Sequence, residues 1–399
     1  MAEEKNIIIG AGLSGLTAAY TLANRPTNIH IFETSNLLGG RITTINREKN
    51  YVDMGAQFFS KKDSNFYKLV KELSLENSMT ETNFDKLNIL FESKLIKINP
   101  KKYHNLNTKQ TKELTKFKKF LLNCNKTLKL MPPELFLTNF KDWYYENIGE
   151  ETIWFPDALL KSITFTDSTK LCAFYGLLAC QSFFIKTYTL RKGLNEIINK
   201  LKYPLENTQI TKILFEKNRV ESIMKKDNEI IPIKKGVIAA IPSNELCKIV
   251  KEPDLSRTLK KITYNGCSVL IVKPKNNITN NLNGILTPEN KTISAILINN
   301  NYYTVLAPYK HNEMQIKEKK ILKELDKLNL TFDKKFIYFK KWDYGLPEFN
   351  KNTFKLQQEI SEITNQYDNF AICGDFMGLP SLDACVESAK KAAEKLKKI

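Results

Sequence analysis

A glycine-rich turn near the start of the chain constrains the fold more strongly than any other feature. An apolar run ends at Gly10, and the turn Gly10-Ala11-Gly12-Leu13-Ser14-Gly15 then opens an apolar helical pattern. A second apolar run ends in Glu33, 18 positions after Gly15. This order predicts a strand, a tight turn, a helix and a second strand, which is the opening unit of an α/β fold with a parallel sheet.

The glycines and the acid share one chemical explanation. Gly10 permits a tight turn, the missing Cβ of Gly12 lets a pyrophosphate approach the backbone, and Gly15 lets the helix lie close to the strand. The phosphates would lie at the helix N-terminus, where free N–H groups and the helix dipole favour negative charge. A carboxylate at Glu33 can accept hydrogen bonds from both hydroxyls of a ribose. We therefore predict a dinucleotide site rather than an ordinary connection between a strand and a helix. Its residues are Gly10, Gly12, Leu13, Ser14, Gly15 and Glu33.

Two further segments indicate which dinucleotide is bound. They are Leu38-Gly39-Gly40-Arg41 and Asp53-Met54-Gly55-Ala56-Gln57-Phe58-Phe59. Together with the first turn, they resemble the flavin amine oxidase superfamily, which includes monoamine and polyamine oxidases, protoporphyrinogen oxidases, carotenoid desaturases and renalase-like enzymes. The resemblance implies FAD as the cofactor, with the Gly-Gly-Arg turn beneath its pyrophosphate and ring and the second segment beside its isoalloxazine. The residues implied to contact FAD are Gly39, Gly40, Arg41, Gly55, Ala56 and Gln57.

The end of the chain carries a second part of the resemblance. A strand pattern over 370–375 ends in Gly374 and Asp375, and a helix opens near Leu382. In the family, the Gly-Asp pair approaches the ribitol and pyrophosphate, and the helix N-terminus points its N–H groups at the flavin pyrimidine. The resemblance also places Ile210, at the start of a short strand, against the adenine through backbone groups.

The fold class that follows is α/β, with a discontinuous Rossmann-type FAD-binding domain and a mixed α+β substrate domain. A chain of 399 residues is long enough for two sizeable cores. The FAD-binding domain is predicted at 1–85, 186–262 and 350–399. The substrate domain is predicted at 86–185 and 263–349.

The middle of the chain matches the family loosely and carries the substrate-side features. Residues 108–131 form a basic amphipathic pattern that predicts a lid helix or, alternatively, a helix facing a membrane. Residues 140–178 read as helical and are rich in aromatic side chains, which can line a pocket for a flat apolar substrate or simply pack a core. Antiparallel strands are predicted at 262–273, 292–298, 302–306 and 336–342, and a charged helix at 314–328.

The net charge and the distribution of lysines limit the classes of partner that this chain can bind. The formal net charge is +18, from 61 Lys+Arg against 43 Asp+Glu, but the lysines are spread along the chain and form no recognised nucleic-acid motif. We therefore expect no nucleic-acid partner, whereas peripheral contact with an anionic membrane surface stays open.

Cysteine and histidine spacing bears on compartment and metal binding. Seven cysteines, Cys124 among them, occur without a Cys-x-x-Cys spacing, which is typical of reduced residues in a cytosolic protein. His30, His104 and His311 have no metal-ligand spacing. The N-terminus lacks a signal-peptide pattern, and no window holds 18 apolar residues. We expect a cytoplasmic protein without a metal, with membrane association as the open alternative.

No catalytic residue is assigned, but three residues are candidates for positions near the flavin: Gln57, Ser268 and Trp342. Amine-oxidising members of the family carry a lysine near flavin N5 at the start of a strand, and the alignment places Ser268 there. Trp342 and Pro347 resemble the family's tryptophan–proline segment near the active site. The covalent flavin cysteine motif is absent around Trp342, so FAD is expected to be noncovalent.

The missing lysine favours dehydrogenation of the protoporphyrinogen-oxidase or desaturase type, with hydride transfer from an organic substrate to flavin N5. The small-molecule substrate is expected to be apolar or carboxylated, because an aromatic site suits an apolar ligand and a basic entrance suits carboxylates. Four alternatives stay open: an amine oxidase, a renalase-like oxidase of dihydronicotinamides, a nicotinamide-binding reductase, and a non-catalytic protein that keeps FAD as a structural element.

Overall fold

The computed structural model describes residues 5–23, 28–47, 50–82, 87–98, 103, 105–123, 133–275, 282–299, 302–310 and 316–398. Cys124, His104, His311 and the part of the predicted helix after residue 123 lie outside these ranges.

The described strands are β1 (Asn6–Ile9), β2 (Ile29–Glu33), β3 (Thr44–Arg47), β4 (Asn50–Asp53), β5 (Phe59–Ser60), β6 (Met79–Thr82), β7 (Leu87–Phe91), β8 (Lys94–Lys97), β9 (Thr187–Leu190), β10 (Leu205–Asn207), β11 (Ile210–Glu216), β12 (Arg219–Lys225), β13 (Ile230–Pro232), β14 (Val237–Ala239), β15 (Tyr264–Pro274), β16 (Gly284–Leu286), β17 (Ala295–Asn299), β18 (Tyr302–Lys310), β19 (Phe332–Pro347) and β20 (Phe370–Ile372). The described α-helices are α1 (Leu13–Leu22), α2 (Ser64–Glu72), α3 (Thr108–Asn123), α4 (Glu134–Leu137), α5 (Phe140–Asn147), α6 (Trp154–Ile163), α7 (Ala173–Ser182), α8 (Asn195–Lys200), α9 (Ser243–Ile249), α10 (Pro253–Lys260), α11 (Glu318–Lys327), α12 (Thr353–Asn365) and α13 (Leu382–Leu396).

A parallel sheet of order β10-β2-β1-β14-β20 carries the glycine turn. Its strand β1 is covered on both faces, because Ile8 packs with α1 and α13 whereas Ile7 and Ile9 pack with α9 and α10. A strand buried on both sides requires a continuous apolar run, which Ile7 to Ile9 supply. The predicted α/β fold of Rossmann type is confirmed.

A larger mixed sheet has the order β19-β15-β18-β17-β16-β7-β8. Cys267 and Val269 of β15 pack in one cluster with side chains of α3, α5, α6 and α7, and we call this side the helical face. Leu270 and Val272 of the same strand pack with α11, and we call that side the α11 face. Successive strand residues alternate between faces, so the two clusters follow directly from the apolar run of β15.

The aromatic segment predicted as helical at 140–178 is divided into α5, α6 and α7. Two positive-φ residues lie in the connections: Gly149 at φ +148° and Phe165 at φ +58°. A Cβ at Gly149 would lie 2.2 Å from a carboxylate oxygen of the buried Glu113, so only glycine fits between α5 and α3 there. Within the ranges given above, no helix combines the length and the apolar character needed to cross a bilayer.

Candidate functional site

The first glycine turn has the geometry of a phosphate-binding cradle. Gly10 follows β1 with φ +104°, and a Cβ there would lie 2.7 Å from the carbonyl oxygen of Ala240. A Cβ at Gly15 would lie 2.0 Å from the Gly10 carbonyl oxygen, so α1 packs directly on the turn. Gly12 differs, because no described atom outside Gly12 and its two chain neighbours lies within 4 Å of its Cβ position. The space beside Gly12 is therefore open to a ligand at the N-terminus of α1.

A second glycine turn lies against the first. The Gly39 N–H donates to the carbonyl oxygen of Ala11 over 2.9 Å, and Gly39 pairs with Gly12 in a parallel bridge. Gly40 has φ +58°, and its Cβ position lies 3.3 Å from the Cα of Gly12. The two turns thus form one surface with little side-chain bulk, which suits the close approach of a pyrophosphate.

Glu33 ends β2 and turns its carboxylate toward the first glycine turn. Its Oε2 accepts a hydrogen bond from the Ala11 N–H at 2.7 Å, and its Oε1 accepts one from the Ser35 N–H at 2.8 Å. The Asn207 side chain donates to the Glu33 carbonyl oxygen at 3.3 Å, which ties β10 to β2. Ile210 then begins β11 with its side chain buried. The two residues predicted on the adenosine side therefore lie near the same end of the parallel sheet.

We expect Glu33→Ala to weaken FAD binding about 10- to 150-fold, because hydrogen bonds to a charged group contribute roughly 1.5–3 kcal/mol. Titration of the apoprotein with FAD measures the change. Glu33→Gln is the matched control, since the amide oxygen can still accept from Ala11 but carries no charge. An unchanged dissociation constant in Glu33→Ala would mean that the ribose lies elsewhere.

Arg41 joins the two ends of the chain. Its Nη1 and Nη2 donate to the carboxylate oxygens of Asp375 at 2.6 and 2.9 Å, and Nη1 also donates to the carbonyl oxygen of Gly345 at 3.0 Å. Burial alone would lower the pKa of the Arg41 guanidinium, but the charge and hydrogen bonds of Asp375 raise it above its ordinary value. This two-pronged ion pair holds the Gly-Gly-Arg turn against the Gly-Asp segment.

The start of α13 is tied to the start of α2. Ser381 caps α13, accepting a hydrogen bond from the Ala384 N–H at 3.1 Å, so the helix begins at Leu382. The Asp383 carboxylate accepts from the N–H groups of Asn65 and Phe66 at 2.7 and 2.8 Å. This role of Asp383 is not predictable from local sequence, because an acid in the first turn of a helix ordinarily interacts with its own helix dipole.

The segment around Gly55 lies directly on the Gly-Gly-Arg turn. A Cβ at Gly55 would lie 1.8 Å from the Arg41 carbonyl oxygen, and the Ala56 N–H donates to that same oxygen at 3.0 Å. Gln57 follows, and its Nε2 is buried without a hydrogen-bond acceptor among the described residues. A buried amide donor ordinarily has a partner, so Gln57 fits a position beside a ligand that offers acceptor atoms.

Trp342 contacts this segment from the larger sheet. Its Nε1 donates to the Met54 carbonyl oxygen at 2.7 Å. Trp342 pairs with Cys267 across β19 and β15, and paired residues in antiparallel strands share a face, so Trp342 lies on the helical face.

Ser268, in contrast, does not lie beside Trp342. Its hydroxyl is fully buried on the α11 face and donates to the Ile316 carbonyl oxygen at 2.7 Å. A step of one residue along a strand reverses the direction of the side chain. Ser268 therefore does not share a face with Trp342, and Cys267 is the neighbour that faces Trp342.

Asp53, which opens the segment, is a buried carboxylate. It accepts hydrogen bonds from the Thr44 hydroxyl and from the Leu194 N–H at 3.1 Å. Burial raises the pKa of Asp53 to about 6, although these hydrogen bonds oppose the shift. The carboxylate ties the β3–β4 hairpin to the turn that precedes α8.

The pKa of Asp53 predicts a dependence of stability on pH. The folded chain binds the proton of Asp53 more tightly than the unfolded chain does. The contribution of Asp53 to the free energy of unfolding is therefore fully present below about pH 4 and is lost as the pH rises through about 6. The difference is up to ~3 kcal/mol. Asp53→Asn, which can still accept from Leu194, should remove this loss. We expect the Tm of the variant apoprotein to rise relative to wild type between pH 4 and 7. Asp63, whose pKa burial also raises to about 6, is present in both proteins and cancels in the comparison. A constant Tm difference would contradict the assignment.

Comparison with known proteins agrees with this geometry. The family model described as flavin containing amine oxidoreductase matches residues 13–396. The chain belongs to this family. As a flavin amine oxidoreductase, it is an FAD-dependent oxidoreductase and its cofactor is FAD.

Individual relatives are more distant. Flavin-containing amine oxidase A of Equus caballus is 38% identical over 78 residues, which are 19% of this chain and 15% of that protein. A candidate protoporphyrinogen oxidase from Exiguobacterium sp. 255-15 has a TM-score of 0.78 at 16% identity over 100% of this chain and 99% of its own. A CLA-producing fatty acid isomerase from P. acnes has a TM-score of 0.78 at 15% identity over 99% of both chains. The structural likenesses show a shared fold over the whole chain, whereas the curated relative is matched over about 15% of its length.

The described residues of this flavin amine oxidoreductase fit FAD on three observations. The Cβ position of Gly12 opens onto space at a helix N-terminus, and the two glycine turns present a bare backbone surface beside it. The buried Gln57 amide has a hydrogen-bond donor to offer. These features leave room for a pyrophosphate at the glycine turns and provide a donor for a polar ligand at Gln57.

Proposed function

We propose that this flavin amine oxidoreductase dehydrogenates a large apolar substrate, in the manner of a protoporphyrinogen oxidase or a desaturase, rather than a small cationic amine. The observation that carries the proposal is the helical face of β15. Between Cys267 and Ile271, that face presents cysteine, valine and isoleucine, so no lysine of this stretch faces Trp342. Amine-oxidising members of the family that the sequence resembles carry a lysine near flavin N5 at the start of this strand, and β15 supplies no lysine there.

The surroundings of Trp342 support an apolar substrate. Trp342 is packed against a cluster that includes Phe140, Trp143, Phe155 and Tyr175, all from the aromatic helices. Burial of apolar substrate surface in such surroundings contributes about 25 cal/mol per Å². The P. acnes neighbour, by its description, acts on a fatty acid, which is a substrate of this apolar kind.

The described residues would hold FAD as follows. Gly12 and the N-terminus of α1 would hold the pyrophosphate, and Glu33 would hold the adenine ribose. Arg41 and Asp375 would keep the two flavin-binding segments together, and Gln57 would donate to the ring. When bound, FAD supplies the redox chemistry by accepting a hydride at N5. The full proposed set is Gly10, Gly12, Leu13, Ser14, Gly15, Glu33, Gly39, Gly40, Arg41, Gly55, Ala56, Gln57, Ile210, Gly374, Asp375 and Leu382.

The protein's own groups prepare the site for this chemistry. The Trp342 indole, fixed by its hydrogen bond to Met54, would orient the substrate against the flavin segment. The apolar cluster of the helical face would exclude water from the reacting bond. We also propose that the FAD-binding and substrate domains divide the chain at the boundaries predicted above.

We expect FAD to be released intact when the protein is denatured, because no covalent attachment motif is present. Precipitation in trichloroacetic acid, followed by washing, separates the two cases. Flavin absorbance in the supernatant supports noncovalent binding, and flavin that stays with the washed pellet contradicts it.

Peripheral contact with an anionic membrane remains part of the proposal. Helix α3 turns Leu114, Phe117 and Leu121 inward while Lys112, Lys116 and Lys119 lie on its surface. A basic outer surface is attracted to anionic lipid. Cosedimentation with vesicles of phosphatidylserine, compared with phosphatidylcholine vesicles, tests this contact; equal recovery from both would rule it out.

Anaerobic mixing with a panel of reductants tests the reaction class. The panel is a porphyrinogen, benzylamine, spermine and isomers of dihydronicotinamide, and the readout is bleaching of the flavin absorbance. We expect the porphyrinogen to bleach the flavin and the two amines to leave it oxidised. Bleaching by the amines alone would make the protein an amine oxidase, and bleaching by dihydronicotinamides alone would make it renalase-like.

A further inference from the structure

One lysine lies on the helical face although it does not belong to β15. Lys340 of β19 pairs with Val269, just as Trp342 pairs with Cys267. Paired residues of antiparallel strands share a face, so Lys340 and Trp342 both lie on the side that packs against the aromatic helices. The next residue, Lys341, pairs with Ser268 and lies on the α11 side.

The Lys340 ammonium is close to the proposed flavin site. Its Nζ lies 4.9 Å from the centre of the Trp342 ring. The same indole donates its Nε1 hydrogen to the Met54 carbonyl oxygen at 2.7 Å, and Met54 directly precedes Gly55 of the flavin segment. Lys340 is thus separated from that segment by a single side chain.

The described residues immediately around Lys340 offer it no opposite charge. The paired positions beside it on the helical face are Val269 of β15 and Leu306 of β18, both apolar. Among the described residues, no carboxylate lies within 4.0 Å of its Nζ, and the contact found is the Trp342 ring. A half-buried ammonium whose partner is an aromatic ring is stabilised further by an added anion, because the ring replaces only part of the hydration of the ammonium.

We propose that Lys340 binds the carboxylate of the substrate, so that the substrate class is an apolar molecule with a free acid group. This inference rests on the proposed function and adds the group that selects among apolar molecules. The apolar part would lie against the aromatic helices, while the ammonium of Lys340 fixes the acid end beside Trp342. Lys340 is a substrate-binding residue in this proposal and takes no part in hydride transfer.

Binding of a model acid and its ester to the holoenzyme tests the inference. Dodecanoate and methyl dodecanoate have the same apolar chain, and a change in the flavin absorption spectrum reports binding at the site. We expect the acid to bind about 10- to 150-fold more tightly than the ester, which is the factor typical of hydrogen bonds to charged groups. Lys340→Met should remove the preference, and Lys340→Arg should keep most of it.

Lys341→Met is the matched control, because it removes one lysine from the same strand on the other face. It should keep the wild-type preference for the acid. The inference is overturned if wild type binds acid and ester equally, or if Lys340→Met keeps the preference.

Kinetics distinguish this role from participation in the chemistry. With a carboxylated substrate that bleaches the flavin, Lys340→Met should raise KM and leave the rate of bleaching at saturation nearly unchanged. A lower saturating rate with an unchanged KM would contradict the binding role. If amines alone bleach the flavin, the proposed function is wrong, whether or not the acid binds more tightly than the ester. If neutral apolar reductants bleach the flavin and the acid binds no more tightly than the ester, only the proposed role of Lys340 is wrong.

Discussion

We expect Gly12→Val to yield a folded apoprotein that binds FAD at least ~100-fold more weakly than wild type, because the branched side chain fills the space beside the backbone that a pyrophosphate needs. The geometry separates this effect from a folding defect. Gly12 has φ −73°, which any residue adopts, and no described atom outside Gly12 and its two chain neighbours lies within 4 Å of its Cβ position. The ratio of flavin to protein absorbance in the purified variant measures the loss, and the Tm of the apoprotein should match that of wild-type apoprotein.

Gly15→Val is the matched control for this variant. Its Cβ would lie 2.0 Å from the Gly10 carbonyl oxygen, so the fold itself must shift, and we expect a lower Tm in the absence of FAD. A wild-type flavin ratio in Gly12→Val would remove Gly12 from the proposed site. A lowered apoprotein Tm in Gly12→Val would instead show that the space beside it is filled by protein.

We expect Arg41→Met to lower the free energy of unfolding by up to about 3–5 kcal/mol, which is the usual result of breaking a buried ion pair by removing one partner. The Arg41 side chain is 30% exposed, so the upper end of this range is a limit. The partner left behind is Asp375, whose side chain is 4% exposed and loses the hydrogen bonds from both Arg41 nitrogens. The carbonyl oxygen of Gly345 also loses its donor. Thermal and urea unfolding of the apoprotein measure the change.

The double variant Arg41→Met/Asp375→Asn separates lost charge pairing from lost packing. Removing the second charge should recover most of the stability, because no uncompensated ion is then buried. Arg41→Lys is a further control, since it keeps the positive charge but cannot make two parallel hydrogen bonds. An Arg41→Met protein as stable as wild type would mean that the pair contributes nothing to joining the chain ends.

Short-range patterns predicted a large part of the fold. The order of β1, the glycine turn, α1 and β2 is present as predicted, because each step depends on neighbouring residues and on backbone constraints that only glycine relieves. The continuous apolar run of β1 also predicted a strand, and the structure shows that strand buried on both faces. The spacing of apolar residues predicted helix boundaries less well at 140–178. There, connections with positive φ at Gly149 and Phe165 divide one predicted helical segment into three helices.

The sequence by itself determined the glycine turns, the parallel strands and the family, because those features depend on residues that are close together along the chain. The tertiary structure alone decided which distant residues meet and which way strand side chains point. Arg41 and Asp375 are 334 positions apart, and no local pattern specifies their contact. Ser268 and Lys340 show the second limit, since strand side chains alternate with a period of two and only the observed pairing places Ser268 on the α11 face and Lys340 on the helical face.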